Sequence, residues 1–157
     1  MAVEKITEAG RARYWLGDME TDYIYTLGRA GEKFFRGLKD GKIVATRCRK
    51  CNLTYLPPRI YCEHCFSELD EWVELLDEGY IEAFTVLTVD ADGNKLDPPE
   101  VIAFIAFDGV TGGLIHRIGE ASPDEVYPGM MVKAVWKPPE ERVGSINDIK
   151  YWKPAIE

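Results

Sequence analysis

The chain has 157 residues, 46% hydrophobic and 29% charged, with nineteen basic against twenty-seven acidic side chains and a net charge of −8. That length supports one compact domain or two small ones with a real core, and the balance excludes a wholly disordered chain and a coiled coil. The longest apolar run, Val101 to Phe107, falls far short of a membrane span. Glu4, Lys5, Glu8, Arg11 and Arg13 open the chain with no apolar stretch behind them, so no signal peptide is expected and a cytoplasmic location follows by default.

Residues 1–20 mix Arg13, Tyr14, Trp15 and Leu16 with charges and read as a short helix or an arm. Thr21 or Asp22 can cap a helix running to about Asp40, with Gly41 as its stop. Tyr23, Ile24, Leu27, Phe34, Phe35 and Leu38 then share an arc of about 120°, while Arg29, Lys33, Arg36 and Lys39 take the opposite side. Gly28, Gly31 and Gly37 each weaken such a helix by roughly 1 kcal/mol relative to Ala. Gly31 lies in the middle of the apolar arc, which predicts a close helix contact or a partner surface there.

Lys42 to Arg47 reads as a strand entering the cysteine region. All four cysteines lie in residues 48–65, as Cys48-Arg-Lys-Cys51 and Cys62-Glu-His-Cys65. Two Cys-x-x-Cys pairs with a short intervening loop are the pattern of two facing zinc knuckles, in which each tight turn presents two soft thiolates to one metal. Disulfides are disfavoured in a reducing compartment, and a redox motif explains one pair, not two. Iron is the serious rival, since rubredoxin-type knuckles also use four thiolates. Arg47, Arg49 and Lys50 are placed to offset the negative centre, and Asn52 suits the left-handed backbone that often ends such a turn. His64 could replace a cysteine, but four cysteines already complete a tetrahedron and leave no open position for catalytic water. The expected metal role is therefore structural. Thr54-Tyr-Leu-Pro-Pro-Arg59 reads as an extended connection, because two prolines exclude helix.

From Trp72 onward the pattern is β. Ile81–Val89, Val101–Phe107, Leu114–Ile118, Met131–Trp136 and a last segment near Ile146–Trp152 read as five strands. Asp90-Ala-Asp-Gly-Asn and Asp97-Pro-Pro mark a long loop, and Gly-rich turns separate the other strands. Five short strands in about 80 residues fit a small barrel such as an OB-fold. The expected organisation is an N-terminal helical segment (1–41), a small metal ribbon (42–70) and a barrel (71–157), mainly β overall. His116, alone on its strand, reads as structural.

Charge divides along the same lines. Residues 71–157 hold seven basic and seventeen acidic groups, a net of −10, whereas residues 33–50 carry seven basic groups against Asp40. The acidic half should repel nucleic acid. The basic strip suits a phosphorylated small molecule or an acidic protein face, and equally reads as a solvated surface. No phosphate loop, nucleophile elbow or metalloprotease helix is present, and the cysteines are committed to metal. This points to a binding or assembly protein, not an enzyme.

The ordered motifs carry a resemblance. Phe34-Phe35-Arg36-Gly37-Leu38-Lys39-Asp40-Gly41-Lys42 runs into the first knuckle, Pro57-Pro58-Arg59 precedes the second, Glu78-Gly79-Tyr80-Ile81 and Phe84-Thr85-Val86 open the barrel, and Tyr127-Pro128-Gly129-Met130 comes late. Over roughly residues 20–140 the chain resembles the zinc-ribbon plus OB-fold proteins associated with acyl-CoA enzymes, long classed as a domain of unknown function. Asn52 replaces the common Gly after the first pair and Glu63 the Pro inside the second, and neither removes a ligand. The resemblance implies a rubredoxin-like zinc ribbon on Cys48, Cys51, Cys62 and Cys65, an OB-fold, and a non-catalytic partner of thiolase or hydroxymethylglutaryl-CoA synthase type enzymes that helps form a shared CoA-binding site. Coenzyme A carries a diphosphate and a 3′-phosphate, for which Arg29, Lys33 and Arg36 are the best candidates. The alternative reading is a single-stranded nucleic-acid-binding ribbon and barrel, which the acidic barrel disfavours. Neither a nucleic-acid nor a membrane partner is expected.

Overall fold

The computed structural model describes residues 24, 26–90 and 92–155. The expectations for residues 1–20 and for Thr21, Asp22 and Tyr23 lie outside the described residues. The helix α1 spans Gly28–Lys39 and so begins later than Thr21 or Asp22. Gly28 sits at φ +63° and Leu27 offers no side-chain cap, while Ile24 and Leu27 stand exposed instead of continuing an apolar helix face. Farther along, Phe34 and Leu38 are buried and Arg29, Lys33, Arg36 and Lys39 are exposed, as the 3.6-residue period dictates. Gly41, at φ +75°, ends the helix as its amide meets the Leu38 carbonyl. The close approach falls at Gly37, not Gly31. A Cβ on Gly37 would stand 2.6 Å from Val44 Cγ2, whereas Gly31 meets only its own neighbour Leu27.

Three strands form the ribbon: β1 (Ile43–Arg47), β2 (Thr54–Leu56) and β3 (Glu71–Leu75), with β1 central and antiparallel to both. β3 pairs along its whole length with β1, so the ribbon sheet continues past residue 70. The barrel follows: β4 (Glu78–Val89), β5 (Lys95–Ala106), β6 (Val110–Ile118), β7 (Met131–Trp136) and β8 (Ile149–Pro154). β4, β5 and β6 form an antiparallel meander, β7 joins β4 to β8, and a parallel β6–β8 contact at Ile118 and Trp152 closes the ring. This is the five-stranded OB-fold. A parallel run of β2 along β6, Thr54↔Val110 to Leu56↔Gly112, joins ribbon and barrel into one sheet. Gly112 is required there, because a Cβ would collide with the Leu56 carbonyl.

A further expectation fails. Asp97-Pro98-Pro99 is not a loop but part of β5, and hydrogen bonds between Asp90 and Asn94 close the turn before it. The prolines are tolerated because the β4–β5 register shifts between Leu87↔Glu100 and Val89↔Lys95, where donors are not needed. Most residues of β4 beyond Ile81 are exposed on both faces, so the far half of this hairpin stands off the barrel.

Burial forms two clusters. The larger runs from Phe34 and Leu38 of α1 through Ile43, Ala45 and Leu56 of the ribbon into Ile81, Ile105 and Trp152 of the barrel. The smaller contains Cys48, Tyr55, Cys62 and Leu69. No described helix is long and apolar enough to cross a membrane.

Candidate metal centre

Each cysteine pair is held by the same local device. Cys48 opens a turn in which the Asn52 amide meets the Cys48 carbonyl at 2.7 Å, and Cys62 opens another in which the Phe66 amide meets the Cys62 carbonyl at 2.9 Å. The residue after each pair is left-handed, Asn52 at φ 58° and Phe66 at φ 57°. Asn52 was expected in that role. Phe66 was not, and it carries the strain although the residue is 79% exposed.

The four sulfurs lie within 4.8 Å of one another, with Cys48 and Cys65 3.5 Å apart. A tetrahedron with metal–sulfur bonds of about 2.3 Å has edges of about 3.8 Å, so the donor set fits a single four-coordinate ion. Cys48 and Cys62 are buried and Cys51 and Cys65 half-buried. His64 is exposed, with Nδ1 3.9 Å from Cys51 Sγ, and lies beside the tetrahedron rather than in it.

Hydrogen bonds prepare the sulfurs for a cation. The buried Tyr55 hydroxyl, 3.1 Å from Cys62 Sγ, lowers the Cys62 pKa and has its own pushed up in return. Ser67 hydrogen bonds bring Cys65 down to about 6, while Cys51, bonded to Cys65 and partly desolvated, is pushed up to about 12. A metal would displace the remaining thiol protons into solvent, since ligands bind as thiolates. Tyr55 and Ser67 escaped sequence reasoning, and the only available signal was a tyrosine two residues before a proline pair and a serine two after Cys65. The basic neighbours behave differently from expectation. Arg47 bonds to the Asn52 side chain, and Arg49 turns to Asp70 and Glu71 at 3.6 and 3.3 Å. Lys50 is exposed.

Arg29, Lys33 and Arg36 do gather along the outer face of α1, around a shallow groove that also includes Glu32 and Asp40. Each has an engagement of its own: Arg29 with Glu68 at 2.6 Å, Arg36 with Glu32 at 2.6 Å, and Lys33 over the Trp72 ring at 5.0 Å. Lys42 meets Glu74 at 2.8 Å. Within the basic strip, Lys42 and Arg49 are thus matched by ribbon carboxylates distant in sequence, as is Arg29 just before it. His116 is buried, as a structural histidine should be. Its Nε2 donates to the Ile146 carbonyl (3.2 Å) and its Nδ1 accepts from the Arg117 amide (2.9 Å), while burial holds its pKa below the ordinary range.

Comparison with known proteins agrees with this geometry. Residues 35–71 match the family model described as ChsH2, rubredoxin-like zinc ribbon domain, and residues 72–137 match ChsH2, C-terminal OB-fold domain. A protein named DUF35 domain-containing scaffold protein from Methanocaldococcus jannaschii is 28% identical over 99 residues, covering 60% of this chain and 67% of that protein. A crystal structure of a DUF35-family protein of unknown function from Sulfolobus solfataricus is 39% identical, with a TM-score of 0.62 over 69% of this chain and 78% of that one. The structure titled Ltp2-ChsH2(DUF35) aldolase shares the fold, with 23% identity and a TM-score of 0.59 over 79% of this chain and 93% of that one. With family models matching both ribbon and barrel, and a DUF35 structure 39% identical over 69% of this chain and 78% of that one, the chain belongs to the DUF35 family.

Proposed function

We propose that this protein is a non-catalytic scaffold that docks an acyl-CoA enzyme of the thiolase or hydroxymethylglutaryl-CoA synthase type, with zinc as the structural ion in its ribbon. The observation that carries the reading is kinship with a protein named as a scaffold, joined to a metal centre whose four protein ligands fill its coordination sphere. The structure of a relative with an aldolase supports an enzyme as the partner class. The second knuckle supplies a docking point: Phe66 is exposed, as are Tyr61 and Ile60 just before the knuckle, and Phe66 keeps a strained backbone that a glycine would relieve. The outer face of α1, with Arg29, Lys33 and Arg36, is proposed to meet the CoA phosphates at the partner's entrance.

A tagged pull-down from the native host, read by mass spectrometry, tests the scaffold. Near-equal recovery of a thiolase or related enzyme is expected, and recovery of nuclease-sensitive material alone sinks the reading. For the helix face, Lys33→Glu with Arg36→Glu should weaken CoA binding by the assembled complex, and unchanged affinity would reject that role.

A further inference from the structure

Outside the ribbon, one groove of about 580 Å³ runs across the barrel, between the outer face of β5–β6 and the connection that leads into β8. Its volume is in the range of small-molecule sites. Ile102 and Arg117 are cross-strand partners on that outer face, and Ile115 stands on the same face, 70% exposed. Across the groove lie Ile146 and Lys150, with Lys137 following β7.

Two features set this groove apart. Three cations line it and no carboxylate does, within a half of the chain whose net charge is −10. Nearby acids are already engaged. Glu100 stands 3.4 Å from Arg117, which keeps its exposure, and Lys150 lies over the Tyr151 ring at 5.7 Å, while Asp148, fully buried, accepts from the Val143, Gly144 and Ser145 amides. The wall is also held in place, because His116 ties β6 to the Ile146 carbonyl. The groove therefore exists before any ligand arrives.

We propose that this groove binds a small organic phosphate with an aliphatic part, its phosphate among Arg117, Lys137 and Lys150 and its apolar part on Ile102, Ile115 and Ile146. Arginine and lysine together suit a dianion, the guanidinium by its fork and the ammonium by its point charge. The lining has no aromatic platform on which bases could stack, which disfavours a polynucleotide. This site is separate from the helix face and does not depend on the scaffold reading.

The test is a titration of the metal-loaded full chain, followed by amide resonances, with hexyl phosphate, inorganic phosphate, hexanol and a ten-residue oligothymidylate. Saturable hexyl phosphate shifts are expected at residues 102, 115–117, 137 and 146–150, with affinity about tenfold or more above phosphate or hexanol, a gap worth about 1.4 kcal/mol. Arg117→Glu with Lys150→Glu should lower that affinity at least about tenfold. Ile115→Ser, on the exposed rim, should weaken hexyl phosphate but not inorganic phosphate, and it keeps the test alive if the double charge reversal misfolds. Shifts that map to α1, that survive the charge reversal, or that are exceeded by the oligonucleotide overturn the proposal.

Discussion

The barrel and the ribbon tip solve the same problem with different means. The barrel cluster gathers seventeen buried apolar residues, including parts of α1 and of the ribbon base. At roughly 1.5–3 kcal/mol per large side chain, such a cluster can oppose chain entropy unaided. The tip buries Cys48, Tyr55, Cys62 and Leu69, of which two belong to the four-cysteine set that fits a metal ion. Hydrophobic burial cannot hold residues 48–70, and coordination takes its place. The dividing line does not follow the division into ribbon and barrel. It passes through the ribbon, because Ile43, Ala45 and Leu56 belong to the barrel cluster while Cys48 and Tyr55 belong to the metal cluster.

The largest effect should come from breaking the tip. Removing the ion with a chelator, or substituting Cys62→Ser, forfeits binding of order 10–16 kcal/mol. Hydrogen exchange should then lose protection across residues 48–70 while β4 to β8 retain theirs. Loss of protection throughout the barrel would show that the two clusters are one cooperative unit. The converse change is Trp152→Ala. Trp152 is fully buried, edge-on to Phe107 at 5.9 Å, so truncation should cost about 3–5 kcal/mol in urea unfolding and leave metal affinity unaltered.

How much of this was legible in the sequence follows from the range of each interaction. The cysteine spacing, the strand Met131–Trp136 and the OB-type strand count rest on local patterns and are found as read. The helix start failed because the apolar period runs on through Ile24 and Leu27, and the positive φ of Gly28 is a choice between states that glycine leaves open. Asp97-Pro98-Pro99 failed because a proline pair reads as a break unless the register irregularity opposite is known. The Tyr55–Cys62 bond and the Arg29–Glu68 and Lys42–Glu74 pairs depend on how β2, β3 and the second knuckle come together. No spacing rule reports such meetings.

A smaller effect sharpens the barrel side. Asp148 is fully buried, which alone would raise its pKa, but the amides of Ser145, Val143 and Gly144 outweigh burial and hold it below the usual carboxylate range. A depressed carboxyl stabilises the fold fully above its unfolded pKa of about 3.9 and loses that contribution as pH falls through the folded value. Asp148→Asn places an amide among donors and should cost about 2 kcal/mol or more near pH 7. The gap between the two proteins should narrow toward pH 3. Comparing them at each pH cancels the loss of metal that acid brings to both, and a gap independent of pH would show that the charge is not what matters.

The smallest effect bears on why the tip exists at all. Asn52 and Phe66 occupy the same left-handed step after their cysteine pairs, but Asn52 is bonded to Arg47 whereas the Phe66 ring faces outward. A left-handed L-residue costs roughly 1–2 kcal/mol, partly offset when glycine enters by its greater freedom in the unfolded chain. Phe66→Gly should therefore leave metal affinity equal or improve the stability of the tip by less than about 1 kcal/mol. If the tip served only to fold, the phenylalanine would be an unrewarded strain. If it docks an enzyme, the same substitution should reduce recovery of that enzyme in a pull-down while Asn52→Gly does not. Equal recovery with both variants would move the docking surface away from the second knuckle, and the barrel hairpin with Val86, Leu87 and Val89 would be the next place to look.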